Sequence, residues 1–138
     1  MDVNIHIERV INNLQSYEYS ANVDVEKILK LDNGNDRVKI VVAIRFLDDS
    51  RLEFSEIVET GKCYPQVIRY SYQYLHEDKE IFRYDNSPHH NDISTFPDHK
   101  HVINNKQKQV IASTRPSHAS LFEEISQIII ANLTNSKI

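Results

Sequence analysis

RVKIVVAIRFLDDSRLEFSEIVE, residues 37–59, reads as two β-strands and the turn between them. Residues 37–47 are dense in β-branched side chains, which suit a pleated surface. The nearly continuous apolar centre Ile40-Val41-Val42-Ala43-Ile44 predicts a strand covered on both faces. Asp48-Asp49-Ser50 is short and polar, as a hairpin connection is. Over 51–59 the period is two, with Leu52 and Phe54 inward against Arg51, Glu53 and Ser55 outward, and Gly61 marks the exit. A chain that reverses within a few residues pairs antiparallel with the strand it has just left, because a parallel pair needs a crossover of about a dozen residues. An antiparallel meander therefore starts here.

Working towards the N-terminus, Asp32-Asn33-Gly34-Asn35-Asp36 is a second hairpin signal, since Asn-Gly readily supplies positive φ angles. Before it, residues 19–31 alternate in part, with Ala21, Val23 and Val25 on one face; 27–31 reads equally as a helical turn. Residues 4–14 place Ile7, Val10, Ile11 and Leu14 on one stripe of a helix. Towards the C-terminus, 64–75 sets Ile68, Tyr70, Tyr72 and Tyr74 opposite Val67, Arg69, Ser71 and Gln73. The tyrosines are read as cross-strand packing in preference to a stacking platform for bases. His76-Glu77-Asp78-Lys79-Glu80 turns the chain into a strand at 81–84, and 99–104 adds a short edge strand with His99 and His101 on one side. Residues 104–113 are polar and basic, either mobile or strand-like. The last element is a helix started by Ser117 or Ser120, the latter forming a capping box with Glu123, with Leu121, Ile125, Ile128, Ile129 and Asn132 near one face. The expected architecture is α+β: an antiparallel meander sheet of about five strands with an N-terminal and a C-terminal helix on it, forming a single domain over 1–138.

A formal charge of −4 argues against non-specific nucleic-acid binding over the whole surface, but residues 99–115 carry Lys100, Lys106, Lys108 and Arg115 with no acid. No apolar run is long enough for a membrane span, and the first residues lack the basic-then-apolar pattern of a secretory signal. A cytoplasmic location is the resulting expectation. The single Cys63 forms no internal disulfide and anchors no cysteine-based zinc site; it is read as a small hydrophobe.

Four of the seven histidines fall within FRYDNSPHHNDISTFPDHKH, residues 82–101. This stretch leaves the strand at 81–84, a rigid place from which to project side chains. One chemistry open to it is metal-free phosphodiester cleavage, in which histidines move protons while Arg83 or Lys100 offsets charge on phosphate. Another is metal binding. Asp85, His89, His90, His99 and His101 are competent ligands, but adjacent histidines point apart, so only one of His89 and His90 joins a given site; no metal is assigned. The bland alternative is turn chemistry, with Asp85 and Asn86 bonding nearby N–H groups and the histidines satisfying loop carbonyls. Arg83 and Asp85 are expected on one side of a strand end, with His99 and His101 approaching from the neighbouring segment. His6, His76 and His118 are isolated and read as surface residues.

Arg83-Tyr84-Asp85-Asn86-Ser87-Pro88-His89-His90, then Thr95-Phe96-Pro97, His99-Lys100-His101 and a Pro-Ser-led helix, resembles the toxin–antitoxin system TumE family of small prokaryotic proteins. Asp98 stands where relatives tend to carry histidine, and Val102-Ile103-Asn104 replaces an expected glycine. The resemblance implies the toxin of a two-gene module, a helix-turn-helix antitoxin of the TumA kind as partner, and kinship with RelE-like ribonucleases. The catalytic set expected within this motif is Arg83, Asp85, His89, His90, His99, Lys100 and His101, with Tyr84 and Asn86 of the motif and Lys106, Lys108 and Arg115 of the acid-free basic strip contacting RNA. Asp85, His90, His99 and His101 remain the metal candidates, with the cofactor and homo-oligomerisation left open. A non-enzymatic module whose histidine-rich loop recognises a partner protein or nucleic acid is the alternative.

Overall fold

The computed structural model describes residues 3–31, 36–61 and 65–135. The expected Asn-Gly turn and Cys63 lie outside the described residues. The chain runs α1 (Val3–Gln15), β1 (Ser20–Lys30), β2 (Arg37–Phe46), β3 (Arg51–Glu59), β4 (Gln66–His76), β5 (Lys79–Asp85), β6 (His99–Asn104), β7 (Gln107–Ala112) and α2 (His118–Asn135). The strands form one antiparallel sheet in sequence order, with β1 and β7 at its edges. The α+β meander with two helices is as expected, but the sheet has seven strands instead of about five. The histidine-bearing segment β6 is consequently interior, covered on its outer side by β7. The hairpin that adds β7 turns through Asn105 and Lys106, both at positive φ (52° and 65°). The β4–β5 hairpin does the same through Glu77 and Asp78 (53° and 61°). Paired positive φ values match the right-handed strand twist, and neither turn contains the glycine that usually announces such a connection.

The sheet buries one face beneath the helices. Val38, Ile40, Val42, Ile44 and Phe46 of β2 are fully buried, whereas Val41 and Ala43 are half-buried and Arg45 is exposed. The expectation of a strand covered on both faces is thus corrected. The β-branched run is continuous, but only alternate members meet the helices. Leu52 and Phe54 on β3 and Tyr70, Tyr72 and Tyr74 on β4 join the same core. The tyrosines stack on neighbouring rings, as Tyr72 does on Phe54 at 5.0 Å, and have no face free for bases. Burial holds their hydroxyls protonated, that of Tyr74 with its pKa raised to about 12.

Ile68 departs from the predicted ladder. The β3–β4 register shifts between Ile57 and Val58, so Arg69 and Val67 are paired and Ile68 is passed over. This bulge turns Val67 towards the core and leaves Ile68 37% exposed.

Ile7, Val10 and Leu14 of α1 fill one end of the core, with Ile11 packed beside them, as the stripe predicts. Leu121, Phe122, Ile125 and Ile129 of α2 fill the other, and Phe122 stacks on Tyr17 at 4.4 Å. Ser117 is the cap, its Oγ accepting from Ser120 N–H at 3.1 Å. Ser120 lies inside the helix, so the Ser120–Glu123 box does not form there. No described helix is long and apolar enough to cross a membrane.

Candidate functional site

Side-chain parity in β5 divides chemistry from core. Phe82 and Tyr84 point to the helices, so Arg83 and Asp85 occupy the opposite, open face. Across the next rung Arg83 pairs with His101 and Asp85 with His99; on the other side Gln73 and Ser71 are their partners. A shift between Tyr74 and Leu75 skips Ile81 in the register, pairing Glu80 with Leu75 and bringing it onto the same face. Gln73 Nε2 donates to Glu80 at 2.9 Å, and Arg83 Nη1 lies 3.2 Å from that carboxylate.

Asp85, only 5% exposed, is the centre of the network. Its Oδ1 accepts from Ser87 N–H at 3.0 Å and lies 2.9 Å from His99 Nε2. Its Oδ2 accepts from Arg83 Nε at 3.0 Å and lies 3.3 Å from His101 Nε2. His99 Nδ1 donates to the Pro97 carbonyl at 2.9 Å, which fixes that proton and aims Nε2 at Asp85. His101 is held differently. Arg83 Nη2 donates to its Nε2 at 3.1 Å, and burial, reinforced by the Arg83 charge, lowers its pKa below the ordinary histidine value against the pull of Asp85. A neutral imidazole follows, its Nε2 lone pair accepting from Arg83.

The third imidazole comes from the loop between β5 and β6. Successive turns, including Ile93 N–H to His90 O at 3.2 Å and Phe96 N–H to Ile93 O at 3.0 Å, fold this loop back over the open face. The ring of His90 then lies 4.9 Å from His99 and 5.7 Å from His101, centroid to centroid. His89, its neighbour, is exposed at the rim. Together with Ser71, Ser87, Arg83, Asp85, His99 and His101, they line a cavity of about 340 Å³.

The structure thus brings Arg83, Asp85, His89, His90, His99 and His101 together. Lys100 is not among them, because its even position in β6 sends it to the helix face. Its Nζ lies 2.5 Å from Glu124 of α2 and over the rings of Phe82 and Tyr84. Burial opposes its charge, but Glu124 and Tyr84 outweigh this and raise its pKa. Tyr84 is there too, donating its hydroxyl to Glu124. Asn86 continues the sheet with its side chain, accepting from Tyr70 N–H and donating to Ile68 O, both at 3.0 Å. Asp98 is likewise turned away, accepting from the Tyr70 hydroxyl at 2.7 Å. Lys106 sits in the β6–β7 turn. Lys108 is on the site's face of β7, two rungs from His101, roughly 7 Å along the strand. Arg115 approaches Tyr72 on the helix face and is remote from the cavity.

Two features escaped the sequence reading. Glu80 reaches the site only through the Ile81 bulge, which a strict period of two hides. Glu56, 1% exposed on the helix face, accepts from the Tyr72 hydroxyl and lies 3.1 Å from His118 Nε2. His118 is therefore tied to a buried carboxylate and is no isolated surface residue. The polar member of an otherwise apolar parity, in 51–59, was the available signal.

A carboxylate shared by a guanidinium and two imidazoles, under a third imidazole, can bind an anionic group, transfer protons or ligate a cation. No curated protein and no solved structure matches the chain. Residues 7–133 match the family model described as Toxin TumE, and the chain belongs to that family.

Proposed function

We propose that this toxin acts by cleaving RNA at the open face of the sheet. The supporting observation is the rung Arg83–His101, which sets a fixed cation beside a neutral imidazole on the floor of the cavity. Arg83 takes a non-bridging phosphate oxygen and in doing so releases His101 Nε2, while Asp85 and Glu80 keep the guanidinium in place. His101 accepts the 2′-hydroxyl proton as that oxygen attacks phosphorus, and His90 protonates the departing 5′-oxygen. Asp85 and His99 act through their neighbours: His99, 2% exposed, fixes the carboxylate that orients Arg83 and His101. Lys108, on the same face, and Lys106 are suited to phosphates flanking the scissile one. A helix-turn-helix antitoxin of the TumA kind is the proposed partner, and the cytoplasm the proposed place of action.

Purified protein is expected to degrade cellular RNA, and His101→Ala to lose that activity while still binding its antitoxin. RNA left intact by protein that arrests growth would remove the nuclease reading. Loss of antitoxin binding in His101→Ala would favour the module whose histidines serve recognition.

A further inference from the structure

The three imidazoles over Asp85 have a second capacity that proton transfer does not use. One ligating nitrogen from each of His90, His99 and His101 lies within 4.8 Å of the others. Two imidazole nitrogens on one tetrahedral zinc-class ion sit roughly 3.4 Å apart, from bond lengths of about 2.0–2.1 Å. The residual gap is at most about 1.4 Å, which side-chain rotation closes, most readily in His90, carried by a loop. His99 and His101 come from alternate positions of an interior strand, so two of the three ligands are fixed before any ion arrives.

The outer contacts fit as well. The bond from His99 Nδ1 to the Pro97 carbonyl is the one that orients a metal-binding histidine: it keeps one proton on Nδ1, so that Nε2 is the nitrogen an ion takes, in place of its contact with Asp85. Asp85 Oδ1, 2.9 Å from His99 Nε2, offers an anionic fourth ligand or an outer partner. Arg83 donates to His101 Nε2, but its Nη1 is also 3.2 Å from Glu80, so it can release the imidazole and keep an acidic partner. Imidazole and carboxylate donors suit zinc and its neighbours better than magnesium or calcium.

We propose that His90, His99 and His101 form a binding site for one divalent transition-metal ion. The ion takes the nitrogens through which His101 accepts a proton and His90 delivers one in RNA cleavage, so occupancy and cleavage exclude each other; this second clause rests on the proposed function. The test is calorimetric titration of the whole chain with zinc, repeated on His101→Ala, His90→Ala and a distant His76→Ala control, with RNA cleavage followed in parallel. One ion per chain is expected, with affinity unchanged in His76→Ala. It should fall in the other two variants by at least the ~10–100-fold that loss of an outer partner costs a metal site. His90→Ala alters only a loop and guards against a misfolded strand variant. Absent binding, or binding indifferent to His90 and His101, overturns the site. Cleavage inhibited by zinc and restored by a chelator supports the exclusion. Cleavage that requires zinc overturns the exclusion and the proton-transfer roles, while the titration result for the site stands.

Discussion

Truncating Asp85 to alanine should destabilise the protein severely, and the cost can be worked from its contacts. Four groups face the carboxylate: His99, Ser87 N–H, Arg83 and His101. Arg83 retains Glu80, and its side chain is 33% exposed, so solvent screens much of its loss. His101 keeps the hydrogen bond that Arg83 donates to it. The damage falls on His99, buried with Nε2 left facing no carboxylate, and on the Ser87 N–H. Orphaning a buried polar group costs about 1–3 kcal/mol, and more where charge is involved, which gives about 3–4 kcal/mol for the two together. Breaking a buried pair by removing one partner costs about 3–5 kcal/mol, in agreement. For a chain of this length the melting point should drop by about 10–15 °C. Asp85→Asn, which keeps one acceptor oxygen, should cost about half as much. With seven tyrosines and no tryptophan, urea unfolding is followed by far-ultraviolet circular dichroism and tyrosine emission. An Asp85→Ala variant within about 1 kcal/mol of the parent, with unchanged dependence on urea, would refute the idea that this carboxylate holds the site together.

Lys100→Met should cost about 1–2 kcal/mol by urea unfolding, from the cation over two rings and the contact with Glu124, while the proposed RNA cleavage stays at the parent level. Lys106→Gly should gain about 0.5–1 kcal/mol in the same assay, because a residue at φ 65° pays a backbone strain that glycine does not. Stability should fall as pH drops below the ordinary histidine value. Burial lowers the pKa of His6 in the folded protein despite the opposing pull of Glu56, so the unfolded chain takes up the proton first. The loss starts near the unfolded pKa and levels off below the folded one. Urea midpoints at pH 7.5 and 5.5 should differ less for His6→Gln than for the parent.

The meander was legible wherever apolar alternation met a recognisable turn, as from Arg37 to Glu59. It was lost where the turn lacked glycine and the strand lacked a buried face. β7 has both handicaps: Asn105 and Lys106 provide the reversal, and most of its residues are exposed. The site's histidines were visible as a cluster, and parity placed Arg83, Asp85, His99 and His101 on one side. The same parity excludes Lys100, which was grouped with its neighbours by proximity in sequence. Bulges were illegible because a single skipped residue leaves no mark on composition; Ile68 and Glu80 were misplaced or missed for that reason. Buried Glu56 requires partners from β4 and the start of α2, distant in sequence, so no local pattern announces it.

The division of β5 and β6 between core and cavity also limits how the gene can change. Deleting or inserting one residue between Phe82 and Asp85 would exchange the two faces, driving Arg83 into the helices and exposing Tyr84. Core and cavity would be lost in the same event. The loop that carries His89 and His90 is under no such parity, so changes in its length can alter what enters the cavity while leaving the sheet intact. What the cavity admits can therefore drift through this loop, whereas a one-residue change in the strands beside it is tolerated only where a bulge absorbs it, as at Ile68 and Ile81.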